Sequence, residues 1–310
     1  KNMSNAVYTI DWSPDGSRVV SAGSDAMGNN VARIWDALTG NNAVTFDGDG
    51  NIVYSGEWAP DGTRIASGAG SLGKIWDPIS GKTLTTYTGH TAFLLINVEW
   101  APDGQRVASA GISGKGMPDH TVQIWDPSTG AHLLTYSGHT EDVGGLGWSP
   151  DGRYIASGTG GAYFNTDFSV HVWNTSTGQR LLTYTGHTGP VNAIAWSLDG
   201  TRVASASDDG TVQIWNPFTG KGYLTYHGHT SGVTSVSWSP DGTLMASGSG
   251  DKSVQIWSPN SVKTLYYYYG NGAYGFVRDV AWSPGGQLIA SCTTTDFLPT
   301  KAQVLVWAGR

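Results

Sequence analysis

Cysteine, basic clusters and long apolar runs are all scarce in this sequence, and each scarcity removes a class of protein. Cys292 is the only cysteine, so an internal disulfide framework and a cysteine-built zinc site are excluded, and the residue reads as a buried strand cysteine. Charged residues make up 13% of the chain, about half the usual ~25%. The net charge of −7 includes no basic block, so the footprint of a protein that neutralises phosphates is missing and nucleic acid is not an expected partner. No run approaches the ~18 apolar residues needed to cross a bilayer. The opening Lys1-Asn2-Met3-Ser4-Asn5 has no apolar stretch of the signal-peptide kind. The expectation is a soluble segment without membrane insertion, cytoplasmic or an extracytoplasmic part of a larger chain.

What fills the space is Gly, Ser, Thr, Tyr and Trp, a palette for short strands and tight turns. The fourteen tryptophans fall into two series. Trp12, Trp58, Trp100, Trp148, Trp196, Trp238 and Trp282 each open a Trp-(Ser/Ala)-(Pro/Leu)-(Asp/Gly)-Gly turn. Trp35, Trp76, Trp125, Trp173, Trp215, Trp257 and Trp307 each close an alternating run such as Thr211-Val212-Gln213-Ile214-Trp215. Seven openings imply seven repeated units.

Residues 191–226 show the unit most clearly. Strand a is 191–196, turned back by Ser197-Leu198-Asp199-Gly200; strand b is 202–206, ended by the hairpin signal Asp208-Asp209-Gly210. Strand c is 212–215, Asn216-Pro217-Phe218-Thr219-Gly220 turns the chain again, and strand d is 223–226. Four short antiparallel strands cannot bury both faces alone, so such units stack radially and close on themselves. The expected fold is an all-β, seven-bladed β-propeller in one domain, 1–310, with blades at about 6–46, 52–88, 94–137, 142–185, 190–227, 232–269 and 276–310.

At this point the chain resembles the WD-repeat family, in its bacterial-type form with seven repeats. Gly89-His90, Gly138-His139, Gly186-His187 and Gly228-His229 match the pair that leads each repeat, and Trp35-Asp36, Trp76-Asp77 and Trp125-Asp126 match the pair that ends strand c. Trp173-Asn174 and Trp215-Asn216 are variants of it. The resemblance implies a buried polar tie in each regular blade, which puts Trp125, Ser109, His90 and Asp119 together in blade 3. The corresponding sets are Trp173, Ser157, His139 and Asp167; Trp215, Ser205, His187 and Asp209; and Trp257, Ser247, His229 and Asp251. One His, Ser and Asp trio recurring in four blades is structural in expectation rather than catalytic. Blade 2 has Asp49 and Gly70 in place of His and Asp, blade 7 has Asn271 and Lys301, and blade 1 has Asn29. These adjoining blades are expected to be less rigid or held by other contacts.

The resemblance also implies that d–a turns and b–c loops share one face, the top, where peptides are held. The b–c loops are lengthened at 25–30, 112–118, 160–166 and 293–300, and insertions on one face of a repeat array mark its binding face. Met27, Met117, Tyr163, Phe164, Phe168 and Phe297 lie in or beside these loops, and Phe93-Leu94-Leu95 and Tyr274-Gly275-Phe276 lie in two lengthened d–a turns. Their aromatic and thioether groups are the candidate partner anchors; packing of each loop onto its own blade is the alternative.

Just before the opening Trp, Asp11, Glu57 and Glu99 come from consecutive blades and should face the central channel. They offer a site for a Lys or Arg side chain or a hard cation, or stay solvated, with Arg278 offsetting part of the charge. Tyr266-Tyr267-Tyr268-Tyr269 on the outermost strand of blade 6 should put two rings on the rim. Strand d of blade 7 is missing after Trp307, and counting back 12 to 14 residues from Trp12 places its replacement before Lys1. The sequence is therefore expected to belong to a longer polypeptide whose upstream segment closes the ring.

The leading functional expectation is a non-catalytic scaffold for a protein or peptide, the propeller part of a larger regulatory protein, with no metal or other cofactor. Two alternatives stand beside it. One is a lectin-like glycan binder, suggested by low charge with many Tyr, Trp, Asn and Thr; the other is a hydrolase using Asp11, Glu57 and Glu99.

Overall fold

The computed structural model describes residues 6–24, 29–114, 118–160, 166–269, 275–295 and 303–309. Blades 2 to 6 are separate four-stranded antiparallel sheets. The four strands of blade 1 and the three of blade 7 form one sheet through the pairing of Ala6 with Thr294. Strands a are Ala6–Trp12, Glu57–Trp58, Leu94–Trp100, Val143–Trp148, Val191–Trp196, Val233–Trp238 and Gly275–Trp282. Blade 7 continues through Leu288–Thr295 and Val304–Ala308, and among the described residues no further strand is added beyond it.

The a–b turn explains why the repeats start alike. In blade 1 the Ser13 hydroxyl donates to Asp15 and accepts the Arg18 amide, while the Gly16 amide donates to the Ser13 carbonyl. Gly16 has φ 69°, a left-handed conformation that glycine adopts without steric cost. This network fixes the hairpin through bonds made within the turn itself.

Packing between blades is aromatic. An aromatic residue near the end of strand d in one blade lies flat on the closing Trp of the next: Phe46 on Trp76, Tyr87 on Trp125, Tyr136 on Trp173, Tyr184 on Trp215, Tyr226 on Trp257 and Tyr268 on Trp307, with centroids 4.2 to 5.0 Å apart. Trp76, Trp125, Trp173, Trp215 and Trp257 are fully buried, each contributing on the order of 3 kcal/mol by area alone. The opening Trp packs the inner end of the same interfaces. Arg18, Arg64, Arg106 and Arg202 cover the opening Trp of the following blade on its ring face.

Several loop expectations are corrected. Leu94 and Leu95 belong to strand a of blade 3 and are buried, so only Phe93 of that trio is exposed. Asn30 and Ile112 lie in strands, and Thr293, Thr294 and Thr295 extend strand b of blade 7. Asn30 pairs with Ser24 across the b–c hairpin, while Ile112 and the three threonines pair with strand a of their own blades.

Candidate functional site: the top face and central channel

Each regular blade is tied at its top by one polar chain. In blade 5 the Trp215 indole donates to Ser205 Oγ at 3.1 Å, Ser205 meets His187 Nε2 at 2.8 Å, and His187 Nδ1 meets Asp209 Oδ2 at 2.8 Å. The same chain joins Trp125, Ser109, His90 and Asp119, and again Trp257, Ser247, His229 and Asp251. Burial pushes these three Asp carboxyls upward, but hydrogen bonds from His and from Thr121, Thr211 or Ser253 outweigh it and hold them well below the usual carboxylate range. Because Asp209 also accepts the Thr188 amide, the tie pins the d–a turn to the b–c turn.

Blade 4 departs from the expected set. Trp173 and His139 both reach Ser157 Oγ, but His139 Nδ1 is buried with no hydrogen-bond partner, and Asp167 bonds Thr140 and the Ser169 amide instead. The departure coincides with His171, which lies flat against His139 where blades 3, 5 and 6 carry Gln123, Gln213 and Gln255. Blade 2 replaces the tie with an ion pair: Lys74 Nζ meets Asp49 Oδ2 at 2.5 Å, and Thr83 donates to the same oxygen. Its closing Trp76 still donates to Ser67. In blade 1, Trp35 donates to Ser21 at 2.7 Å.

Inside the ring is a cavity of about 890 Å³ lined by strand a or its lead-in from all seven blades. Its top rim carries Tyr8, Tyr54, Ile96, Asn192, Thr234 and Arg278, and the Tyr8 and Tyr54 rings stack at 4.6 Å. Deeper lie Asp11, Glu57 and Glu99, joined by Asp279, which the sequence reading missed. The signal for it was positional, since three residues before the opening Trp stand the polar Thr9, Ser55, Asn97, Ser235 and Asp279, with Gly145 and Ala193 in blades 4 and 5.

These carboxyls act as stitches between blades. Asp11 accepts the Trp58 amide at 2.8 Å, Glu57 the Trp100 amide at 2.5 Å, and Asp279 the Ile10 amide at 2.9 Å and the Ser235 hydroxyl at 2.6 Å. Strand a is the inner edge of each sheet, so its amides have no further strand to pair with, and these side chains satisfy them. Burial raises all four: Asp279 to about 6, Asp11 to about 7, Glu99 to about 8 and Glu57 well above its ordinary value. Mutual repulsion adds to the effect at Asp11, Glu99 and Glu57, while the amide bonds at Asp11, Glu57 and Asp279 oppose it. The close approach of the Glu57 and Glu99 side chains further raises Glu57 and partly offsets the rise at Glu99. Among the described residues no group of three or more His, Cys, Asp or Glu side chains is arranged to hold a metal ion.

Of the anticipated top-face anchors, Phe93 is 59% exposed while Phe168 and Phe276 are half-buried. Met27, Met117, Tyr163, Phe164, Tyr274 and Phe297 lie outside the described residues, as do Asn271 and Lys301. No helix among the described residues is long and apolar enough to cross a membrane.

Seven radially packed blades around a channel, with a Trp-anchored polar tie in the regular ones, define a β-propeller of the WD type. The family model described as WD domain, G-beta repeat matches residues 2–36, 81–126, 130–174, 178–216, 220–258 and 262–297, well over half of the chain, and the chain belongs to that family. The unmatched stretch 37–80 holds most of blade 2, where Asp49 stands in place of His. A search of the curated proteins finds no match.

Proposed function

We propose that this chain is a non-catalytic scaffold holding a protein or peptide partner on its top face, as the propeller part of a larger regulatory protein. The observation that carries the reading is the channel mouth: the stacked Tyr8–Tyr54 pair, Ile96 and Asn192 rim a cavity of about 890 Å³, with exposed Phe93 in the neighbouring d–a turn. A concave rim of aromatic and amide groups supplies both the apolar contact and the orienting hydrogen bonds that peptide recognition uses. Membership of the WD-repeat family supports a binding role, because its propellers generally serve as interaction scaffolds. The channel carboxyls argue against hydrolysis. Asp11, Glu57 and Asp279 are each engaged by a backbone amide of a neighbouring blade, a role in holding blades together rather than in attacking a substrate.

A glycan-binding reading rests on one separate feature, the parallel Tyr267 and Tyr269 rings on the rim, exposed by 54% and 70%. The two readings separate in one experiment. Immobilised wild-type protein is compared with Phe93→Ala on the top face, Leu38→Ala/Ile79→Ala on the bottom turns, and Tyr267→Ala/Tyr269→Ala on the rim. A protein partner lost only with the top-face change supports the scaffold; loss of glycan-array binding only with the rim change favours the lectin-like reading. Partner retention by the Phe93 variant, with loss in the bottom-turn variant, overturns the top-face assignment.

A further inference from the structure

Blades 3, 5 and 6 share one plan for the buried tie, and blade 4 breaks it at one strand position. The middle of strand c in the three regular blades is Gln123, Gln213 or Gln255, whose Oε1 accepts the hydroxyl of Tyr87, Tyr184 or Tyr226 from the preceding blade at 2.5 to 2.6 Å. Blade 4 has His171 there, with Nδ1 2.9 Å from the Tyr136 hydroxyl. Its ring lies 4.2 Å from that of His139 at an interplanar angle of 7°. Both histidines are buried, His139 at 6% exposure and His171 at 4%.

The surroundings are ready for neutral rings and poorly suited to charged ones. Arg180 Nη1 stands 3.4 Å from His171 Nε2 and adds positive charge. His120 of blade 3 adds to the depression of His139, and its own Nδ1 lies 3.3 Å from Asp142 without hydrogen-bonding to it. Asp167 favours an imidazolium at either ring through its charge, but burial and the positive neighbours outweigh it; it hydrogen-bonds Thr140 and the Ser169 amide, and His139 Nδ1 has no partner. Ser169 Oγ, 3.2 Å from His171 Nε2, is the remaining polar neighbour.

We propose that the stacked His139–His171 pair makes blade 4 an acid-released latch, in which protonation of either ring breaks the stack and frees the top ends of strands b and c. Two like charges held face to face in a buried site repel, and neither ring can move without disturbing Ser157 or Tyr136. Burial, then the neighbouring positive groups, depress His139 to about 3 and His171 to about 4, from an ordinary 6.5. The folded blade therefore refuses a proton that the opened blade accepts, so opening is favoured progressively as pH falls below about 6.5. This device is independent of which partner the top face takes.

Hydrogen exchange at pH 7.5 and 5.5, corrected for the intrinsic rate, tests it on the intact chain. The amides of Thr159 and Gly160, which bond the Ser169 and Asp142 carbonyls, should open about tenfold more often at pH 5.5 for each histidine that titrates. Their counterparts in blade 5, Ser207 and Asp208, should not. His171→Gln, which installs the residue of the regular blades, should remove most of the difference. Equal acceleration in blades 4 and 5, or an unchanged profile in His171→Gln, overturns the latch. Should that variant fold poorly, imidazole titration of the wild type by NMR decides: two histidines still neutral at pH 5 support the proposal, and eight that all titrate near 6.5 refute it.

Discussion

The indole nitrogen of Trp12 donates to the carbonyl of Ala281 across 3.0 Å, linking the first blade to the last. The same bond joins Trp100 to Glu57, Trp148 to Glu99, Trp196 to Gly147 and Trp238 to Ala195. The ring thus closes at its inner edge with the contact that it repeats elsewhere, and Asp279 reinforces it through the Ile10 amide. Blade 7 adds no fourth strand among the described residues, so these inner bonds matter most at that seam.

Trp12→Phe is accordingly expected to cost more than Trp58→Phe. Both lose similar ring area, but Trp58 Nε1 has no hydrogen-bond partner to lose, whereas removing the Trp12 donor strands a carbonyl in the seam. The difference should be about 1 to 2 kcal/mol in urea denaturation. Equal losses would mean that the seam bond contributes nothing.

Two aspartates at equivalent repeat positions should behave differently. Asp209→Ala leaves His187 Nδ1 with only the long contact to Thr211 Oγ1 and frees the Thr188 and Thr211 amides, at a cost of about 2 to 3 kcal/mol. Asp167→Ala removes bonds to Thr140 and Ser169 only, since His139 is already without that partner, and should cost about 1 kcal/mol or less. Thermal melts of the two variants side by side give the answer, and a larger loss at Asp167 would contradict the blade 4 geometry.

How much of this was legible in the sequence depends on whether a property repeats. The paired Trp series and the Ser-Pro-Asp-Gly turns are local and occur in unit after unit, so strand c of blade 5, 212–215, was read to the residue, and strands b and d within one. The polar ties of blades 3, 5 and 6 were legible for the same reason. What escaped was set by single substitutions acting across blades. His171 has the alternation expected of strand c, and nothing in one sequence says that its ring will lie against His139 while Asp167 bonds elsewhere. Asp279 escaped because it stands three residues before its opening Trp, whereas Asp11, Glu57 and Glu99 stand directly beside theirs. The stitching role of Asp11 and Glu57 depends on neighbouring backbone amides, which side-chain pattern alone does not reveal.

The aromatic stacks offer a test of what holds neighbouring blades together. Tyr226 is 2% exposed, lies 4.2 Å from Trp257 and donates to Gln255. Tyr226→Ala should cost about 3 to 5 kcal/mol, the usual range for deleting a buried aromatic. Tyr226→Phe should cost about 1 to 2 kcal/mol, because the ring stays and only the hydroxyl's bonds to Gln255 and Thr264 are lost. Tyr266→Ala, at a residue 54% exposed, should change stability by less than about 0.5 kcal/mol. Denaturant midpoints for the three variants check the order, and a costly Tyr266→Ala would show that the rim of blade 6 is buried in solution.

The channel carboxyls set the alkaline limit of stability. Their folded values, about 6 for Asp279, 7 for Asp11 and 8 for Glu99, lie above the ordinary values of 3.8 and 4.5. Groups raised in this way contribute stability that is full below about pH 4 and is lost as pH rises through the folded values. Between pH 6 and 9 the cluster should therefore charge and repel, loosening the stitches from blade 7 through blade 3. Glu57→Gln imitates the protonated acid: its amide oxygen can still accept the Trp100 amide, and its NH₂ can donate to Glu99. The variant should match the wild type at pH 5 to within about 0.5 kcal/mol and exceed it at pH 9 by about 1 to 2 kcal/mol, one pKa unit being about 1.4 kcal/mol. Urea titrations at pH 5, 7 and 9 measure the difference directly. A variant less stable than the wild type at all three values would show that the negative charge of Glu57, rather than its hydrogen bonds, is what the channel requires.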